Sequence, residues 1–208
     1  MNQLNTAYTH RRYFTVLLLQ LLFVGTARPQ PAWLDAQRLA VKTNLVCDAV
    51  LMPSLAVEYR LDERWSAALE ADVAWWSRAS RHKYYQLAVV TPEVRYKLDP
   101  GHPWHGHYLG AFAGYGWYDL ANGGTDYYGN GLMGGVSYTY RWPVGRKLSL
   151  EAGLGAGLMY TRYKELQPLD GHYVYQQSSH MLYVGPLKVQ FALVWRPWAE
   201  TDKEGGRP

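Results

Sequence analysis

The chain has 208 residues, of which 21 are Lys or Arg and 17 are Asp or Glu, so its formal net charge is +4 at pH 7. This length fits one domain or one closed barrel, and the charge is too small to indicate a nucleic-acid-binding protein. Aromatic residues reach 15%, with 18 Tyr and 9 Trp, and both types favour the membrane–water interface. The mean hydropathy of −0.30 nevertheless excludes a bundle of membrane-spanning helices. The single cysteine, Cys47, excludes an internal disulfide.

The N-terminus carries the features of a secretory signal peptide. Arg11 and Arg12 precede an apolar stretch from Phe14 to Gly25, and small residues follow up to Ala27. The apolar stretch is shorter than the roughly 20 residues that a membrane-spanning helix needs. We therefore predict a signal peptide over residues 1–27 and export of the rest of the chain.

The exported part is predicted to contain a short leader (28–38), a β-barrel (39–198) and a polar tail (199–208). Along the barrel region, apolar and other residues alternate with a step of two, which is typical of strands whose two faces meet different environments. In chain order the predicted strands are 39–48, 54–61, 64–76, 84–98, 107–119, 131–142, 148–163 and 181–196. Since proline cannot donate to a ladder, we expect a bulge or weakened pairing at Pro92.

The seventh of these strands, Leu148 to Tyr163, has the clearest pattern. One face carries leucine and alanine and ends in Tyr160, whereas the other carries glycines and Glu151. The strand is also longer than the roughly five or six residues that are usual in soluble proteins. An oily face opposite a small and polar face is typical of an outer-membrane barrel, with lipid outside and a crowded polar interior.

The predicted fold class is therefore all-β: an antiparallel up-and-down β-barrel of about eight strands, of the outer-membrane type. A periplasmic N-terminus puts the connections 61–64, 99–106 and 142–147 on the periplasmic side and the loops 77–83, 120–130 and 164–180 outside. With this topology, aromatic residues fall at both ends of the strands and form two predicted girdles.

The members of the girdles divide by end. Trp65, Trp142 and Trp195 belong to the periplasmic girdle, and Trp75, Trp117, Tyr160 and Tyr183 belong to the outer girdle.

The interior face of the predicted barrel carries nine charged residues: Lys42, Glu58, Glu70, Asp72, Glu93, Arg95, Arg141, Glu151 and Lys188. Because an isolated buried charge is costly, these residues are expected to pair. Eight strands leave an interior that is just wide enough for its own side chains, so we interpret the set as a structural plug of salt bridges. An ion path and an enzymatic acid–base pair are the alternatives.

Two histidine-containing segments are candidates for a metal site or a catalytic site. His102, His105 and His107 share a short segment, but no carboxylate or cysteine lies at a matching interval, so we predict no metal. Residues 178–180 (Ser-Ser-His) lie in the last outer loop, where a lipid hydrolase of the barrel rim would place its catalytic groups. Adjacency in sequence is not a catalytic arrangement, and we predict no catalytic residue and no cofactor.

Several blocks resemble a known family. The segments Lys42–Trp76, Gly106–Leu120, Tyr163–Gln176 and Tyr183–Trp195, together with the glycine-rich sixth and seventh strands, are similar to an uncharacterised family of exported β-barrel proteins of Bacteroidetes-type bacteria, domain of unknown function number 3575. The resemblance implies an outer-membrane barrel and supplies no catalytic residues.

These observations predict a non-enzymatic outer-membrane protein with a structural, assembly or surface-interaction role. The expected partners are outer-membrane lipid, the barrel assembly machinery and a surface ligand or envelope protein at the outer loops, but not nucleic acid. One alternative is an enzyme acting on lipid or lipopolysaccharide at the rim, in which His180 and a serine or acid converge. The other is a soluble periplasmic ligand-binding barrel, in which Leu150, Leu154 and Leu158 point inward.

Overall fold

A computed structural model describes residues 35–78, 83–99, 101, 104–122, 124–169 and 172–198. The predicted signal peptide (1–27) and tail (199–208) lie outside the described residues. The chain divides into two units, Met1–Asp35 and Ala36–Pro208, and the following description concerns the second. Within the described ranges, no helix is long and apolar enough to cross a membrane.

Eight antiparallel strands follow one another in chain order around a closed barrel. They are β1 (Leu39–Asn44), β2 (Ser54–Arg60), β3 (Trp65–Arg78), β4 (Lys83–Lys97), β5 (Gly106–Asn122), β6 (Asp126–Pro143), β7 (Leu148–Leu169) and β8 (His172–Trp195). The predicted all-β, antiparallel, up-and-down fold of eight strands is confirmed. We call the end with the β2–β3, β4–β5 and β6–β7 turns the short-turn end, and the opposite end the long-hairpin end.

The strands are staggered strongly around the ring. Paired residues followed strand by strand from Ala40 of β1 lead to Gly185 of β8, whereas Val41, the next residue in β1, pairs with Trp195. A stagger of this size, about ten residues, tilts the strands by roughly 35–45° to the barrel axis. Residues at the same height along the barrel axis therefore belong to different ladder rows.

The first strand is shorter than predicted, because a helix, α1 (Leu45–Ala49), replaces its second half. Asn44 ends β1 and caps α1, with its side-chain oxygen accepting from the Val46 N–H at 3.3 Å. The same side chain donates to the Val189 carbonyl at 3.0 Å and accepts from the Phe191 N–H at 3.2 Å. An asparagine side chain thus replaces backbone pairing where β1 leaves β8.

Two segments predicted as long outer loops are paired strands instead. β5 and β6 extend into 120–130, and β7 and β8 extend into 164–180. The apolar alternation ends near Tyr160, because outer-face residues beyond that level, such as Arg162 and Lys164, are polar, but the backbone continues to pair. A pattern that relies on an apolar outer face could not detect strands without one.

The expectation at Pro92 is confirmed in one respect. Its pairing with Leu69 on β3 is regular, whereas the ladder to β5 passes from Val90 to Glu93 without pairs at the two residues between. Bulges lie elsewhere, in β8 at Leu187, opposite the step from Gly155 to Ala156 of β7, and at residue 176, opposite the step from Glu165 to Leu166.

The barrel is apolar outside and charged inside. Leu154, Val136 and Val184 are 64%, 67% and 69% exposed on the wall, whereas Arg95 and Arg141 are completely buried. The interior apolar side chains are mostly small, and polar side chains fill the remaining volume. This distribution is the reverse of that in a soluble globular domain, where large apolar residues are the most buried.

Candidate functional site: the charged barrel interior

A network of five charged side chains occupies the centre of the barrel. Glu58 lies 2.6 Å from Arg141, 2.8 Å from Arg95 and 3.1 Å from Lys42. Glu151 accepts from the Arg141 Nε at 2.7 Å and lies 3.0 Å from Arg95 and 3.6 Å from Lys42. All five side chains are at most 3% exposed. Each carboxylate therefore contacts all three cations.

A second group adjoins the first on the side of the long-hairpin end. Lys188 Nζ lies 2.8 Å from Glu70 and 2.8 Å from Glu93, and Glu93 lies 4.0 Å from the Arg95 Nε. The Ser137 hydroxyl donates to Oε1 of Glu93, whereas Lys188 donates to Oε2. Together the two groups contain four acids and four bases, so the interior network has no net formal charge.

Eight of the nine predicted interior residues belong to this network, and Asp72 is the exception. Asp72 lies on β3 between Ser54 and Val89 of the neighbouring strands and is half-buried. No ion pair to it occurs in the described part of the chain, and its buried Oδ1 has no hydrogen-bond partner there.

The interior is tightly filled. A Cβ atom at Gly110 would collide with Glu93 and Ser137, so glycine at this position leaves room for an interior carboxylate. A cavity of about 10 Å³ lies near Glu58, Trp104 and Tyr108, and a volume of this size holds about one water molecule. This cavity, among the described residues, is too small for a substrate.

Aromatic residues that sequence reasoning missed close the short-turn end. Trp104 comes from the connection between β4 and β5 and is only 5% exposed. The guanidinium carbons of Arg60, Arg141 and Arg196 lie 5.3, 5.7 and 5.7 Å from its ring centre, within the range of cation–π interactions. Tyr108, which is 3% exposed, packs beside Arg141 at 5.0 Å.

Only one of these two aromatic residues had a sequence signal. Tyr108 lies on the interior parity of β5, with Gly110 and Phe112, so the alternation placed it correctly without indicating its role. Trp104 lies in a connection without periodicity, and nothing in the pattern distinguished it from an exposed turn residue.

Six of the seven predicted girdle residues lie on the outer face in two belts: Trp65, Trp142 and Trp195 near the short-turn end, and Trp75, Trp117 and Tyr160 towards the long-hairpin end. Tyr183 instead pairs with Met159 on the interior face, because the bulge at Leu187 reverses the parity of the preceding part of β8. Within the belts, the Trp65 and Tyr96 rings are 4.9 Å apart, and Trp75 stacks on Trp117 at 5.9 Å. The belts bound the exposed apolar surface between them.

The two histidine-containing segments contain no assembled site. His102 lies outside the described residues, and the His107 ring contacts Tyr138 and Tyr140. The described ranges contain no group of three or more His, Cys, Asp or Glu side chains that could hold a metal. His180 packs against the Tyr160 ring, and its ladder neighbour is a base, Arg162, rather than an acid.

The interior chemistry is that of ion pairing. The carboxylates of the network are each held by at least one cation, and the cations that contact them are buried in the same network. Carboxylates bound by buried cations suit ion pairing rather than the proton exchange that a general acid or base performs. The geometry therefore defines a closed, plugged barrel.

The fold and the interior together define the class: a small antiparallel β-barrel with a charge-filled interior. The chain belongs to the family described as Protein of unknown function (DUF3575), whose model matches residues 15–196. No curated protein matches the chain, and no solved structure matches it.

Proposed function

We propose that the protein is an outer-membrane β-barrel that carries out a structural, assembly or surface-interaction role and has no catalytic activity. In this proposal the short-turn end faces the periplasm, the long hairpins face outward, and a signal peptide directs export. The barrel assembly machinery inserts the chain, and membrane lipid surrounds it.

The observation that carries the proposal is the continuous exposed apolar band on the wall. Leu69, Leu132, Leu154 and Val189 are each more than half exposed, and they belong to four different strands. Contiguous apolar patches of this extent are rare on soluble monomers. An apolar band between two aromatic belts supports contact with the hydrocarbon core of a membrane.

The same orientation disfavours the soluble ligand-binding alternative. That alternative needs Leu154 and Leu158 to line the interior, but they are 64% and 54% exposed on the outer face. The interior is charged and filled, so it offers an apolar ligand neither surface nor volume. A rim enzyme is disfavoured because His180 lies opposite Arg162 and against Tyr160.

Detergent dependence tests the proposal directly. We expect the chain lacking residues 1–27 to be monodisperse in detergent micelles, to aggregate when the detergent is removed, and to enter lipid vesicles with a heat-sensitive shift in gel mobility. A sample that remained monodisperse without detergent would contradict membrane placement. In cells, the full chain should fractionate with the outer membrane.

A further inference from the structure

A polar patch lies on the outer face, directly beyond the aromatic belt that is nearer the long-hairpin end. We call it the rim patch: Tyr128, Asn130, Arg162, Lys164, Ser178 and His180, all exposed. The ladders of β6, β7 and β8 arrange these residues in two adjacent rows, Asn130–Arg162–His180 and Tyr128–Lys164–Ser178. Every side chain in the set can donate a hydrogen bond, and none is a carboxylate.

The patch continues from the apolar wall. The next row towards the short-turn end is Leu132–Tyr160–Leu182, and these residues are 61%, 37% and 64% exposed. A step of two positions along the strands therefore leads from a row of leucine and tyrosine to a row that contains Arg162. This is the order of acyl chain and headgroup in a lipid leaflet.

Arg162 and His180 of the patch both lie against the Tyr160 ring. Arg162 Nε donates to the Tyr160 hydroxyl at 3.1 Å, and its guanidinium carbon lies 5.5 Å from the Tyr160 ring centre. The His180 ring lies 6.2 Å from the same ring. A planar guanidinium held in this way presents its remaining N–H groups outward, in the fork geometry that suits phosphate.

Among the described residues, the carboxylates nearest the patch lie at its edges or on the opposite face. Glu165 points to the opposite face, where Gln177 donates to it at 3.0 Å. Asp119 of β5 lies beyond Tyr128 in the same row, and Asp126 of β6 lies in the next row towards the long-hairpin end, so the patch ends at β6 and its formal positive charge, from Arg162 and Lys164, lies on β7.

We propose that the rim patch binds the phosphorylated headgroup of an outer-leaflet lipid, whose acyl chains pack on Leu132, Tyr160 and Leu182. The inference rests on the proposed membrane placement and goes beyond it, because it names one lipid chemistry and one site. The apolar row below the cations favours a lipid over free phosphate, since free phosphate would need only the cations.

The test compares two lipids in native mass spectrometry of the mature chain in detergent micelles. One probe is bisphosphorylated lipid A, and the other is the same lipid without its phosphates. We expect a preference for the phosphorylated lipid that falls roughly tenfold in the double variant R162Q/K164Q, given the attraction of two bases to an anionic lipid. The matched control K83Q/R146Q removes two exposed cations elsewhere and should keep the preference.

The outcomes separate the two proposals. Equal retention of both lipids, or an unchanged preference in R162Q/K164Q, overturns the rim patch while leaving membrane placement intact. Complete displacement of lipid A by excess inorganic phosphate would overturn the proposal of a lipid site and indicate a site for a free anion. A chain that stays soluble without detergent overturns the proposed function itself. The single variant K164Q, expected to lose part of the preference, is measured alongside in case the double variant fails to fold.

Discussion

Arg141 and Glu58 meet across the full width of the barrel. They lie on β6 and β2, four strands apart in a ring of eight, and their charged groups are 2.6 Å apart at its centre. The contact joins opposite walls, so the interior network acts as a brace as well as a filling. Breaking a buried ion pair from one side leaves an uncompensated charge, which is more costly than the pair itself is stabilising.

Replacing Glu58 should therefore destabilise the barrel strongly. Glu58→Gln leaves Lys42, Arg95 and Arg141 with Glu151 as their common carboxylate, and we expect a loss of about 3–5 kcal/mol in the free energy of unfolding. Urea unfolding from lipid vesicles, followed by tryptophan fluorescence, measures it. Adding Lys42→Met to Glu58→Gln should restore part of the loss, because acids and bases are then equal in number again.

The control for this substitution is Glu63→Gln. Glu63 is exposed in the turn between β2 and β3, and its variant should stay within about 0.5 kcal/mol of the wild type. If Glu58→Gln shifted the unfolding midpoint no more than Glu63→Gln does, the network would not brace the walls.

Charge on the apolar wall should block membrane assembly. Leu154 is 64% exposed and lies midway along β7 between Leu148 and Tyr160. An arginine near the bilayer midplane costs about 2–4 kcal/mol, so we expect Leu154→Arg to reduce the fraction of chain with the folded gel mobility in vesicles. Leu61→Arg is the matched control, since Leu61 is 50% exposed in a short turn; equal assembly of both variants would overturn the orientation of the wall.

Removing Trp104 should weaken the closure of the short-turn end. Trp104→Ala leaves a space beside Arg60, Arg141 and Arg196, and truncation of a buried tryptophan costs about 3 kcal/mol or more. Trp198→Ala is the matched control, because Trp198 is 46% exposed and lies just beyond the end of β8. We expect a lower thermal transition for Trp104→Ala than for Trp198→Ala, and matching transitions would show that Trp104 is not part of the plug.

The interior residues were predictable from the sequence because of one geometric constraint. In a barrel with lipid-compatible walls, side-chain parity along each strand assigns the charges between the two aromatic belts to the interior, and it placed Glu58, Arg141 and Glu151 together without any knowledge of their partners. The same parity placed Asp72 inside but could not indicate that it lacks an ion pair, since pairing depends on side-chain reach between strands.

The features that sequence reasoning missed lie where parity carries no information. Trp104 lies in a connection, and the ladder rows beyond Tyr160 carry polar residues such as Arg162 and Lys164 on the outer face. The helix α1 depends on a single cap at Asn44, and the alternation continued through it. Pairing, capping and insertion from a turn are tertiary effects that override the local pattern.

The β5–β6 hairpin should become more stable as the pH falls. Asp126 begins β6, beyond the outer belt, and burial, followed by the hydrogen bond and the charge of Asp119, raises the pKa of Asp126 to about 6 from 3.8. The native hairpin therefore binds more protons than the unfolded chain between these values. The stabilisation is complete below about pH 4 and is lost as the pH rises through about 6.

Hydrogen exchange corrected for intrinsic rates can detect this change at the hairpin itself. We expect the amides of Asp119–Asn122 and Asp126–Tyr128 to be better protected at pH 5 than at pH 7, and Asp119→Asn to reduce the difference without abolishing it, because burial is the largest cause of the raised pKa. The β2–β3 turn is an internal control with the opposite sign: the Trp65 and Arg64 N–H groups lower the pKa of Asp62, so its stabilisation is lost only at pH values below the ordinary range of an aspartate. Protection that rose equally in both hairpins between pH 7 and pH 5 would point to a global effect and exclude the carboxyl pair as its cause.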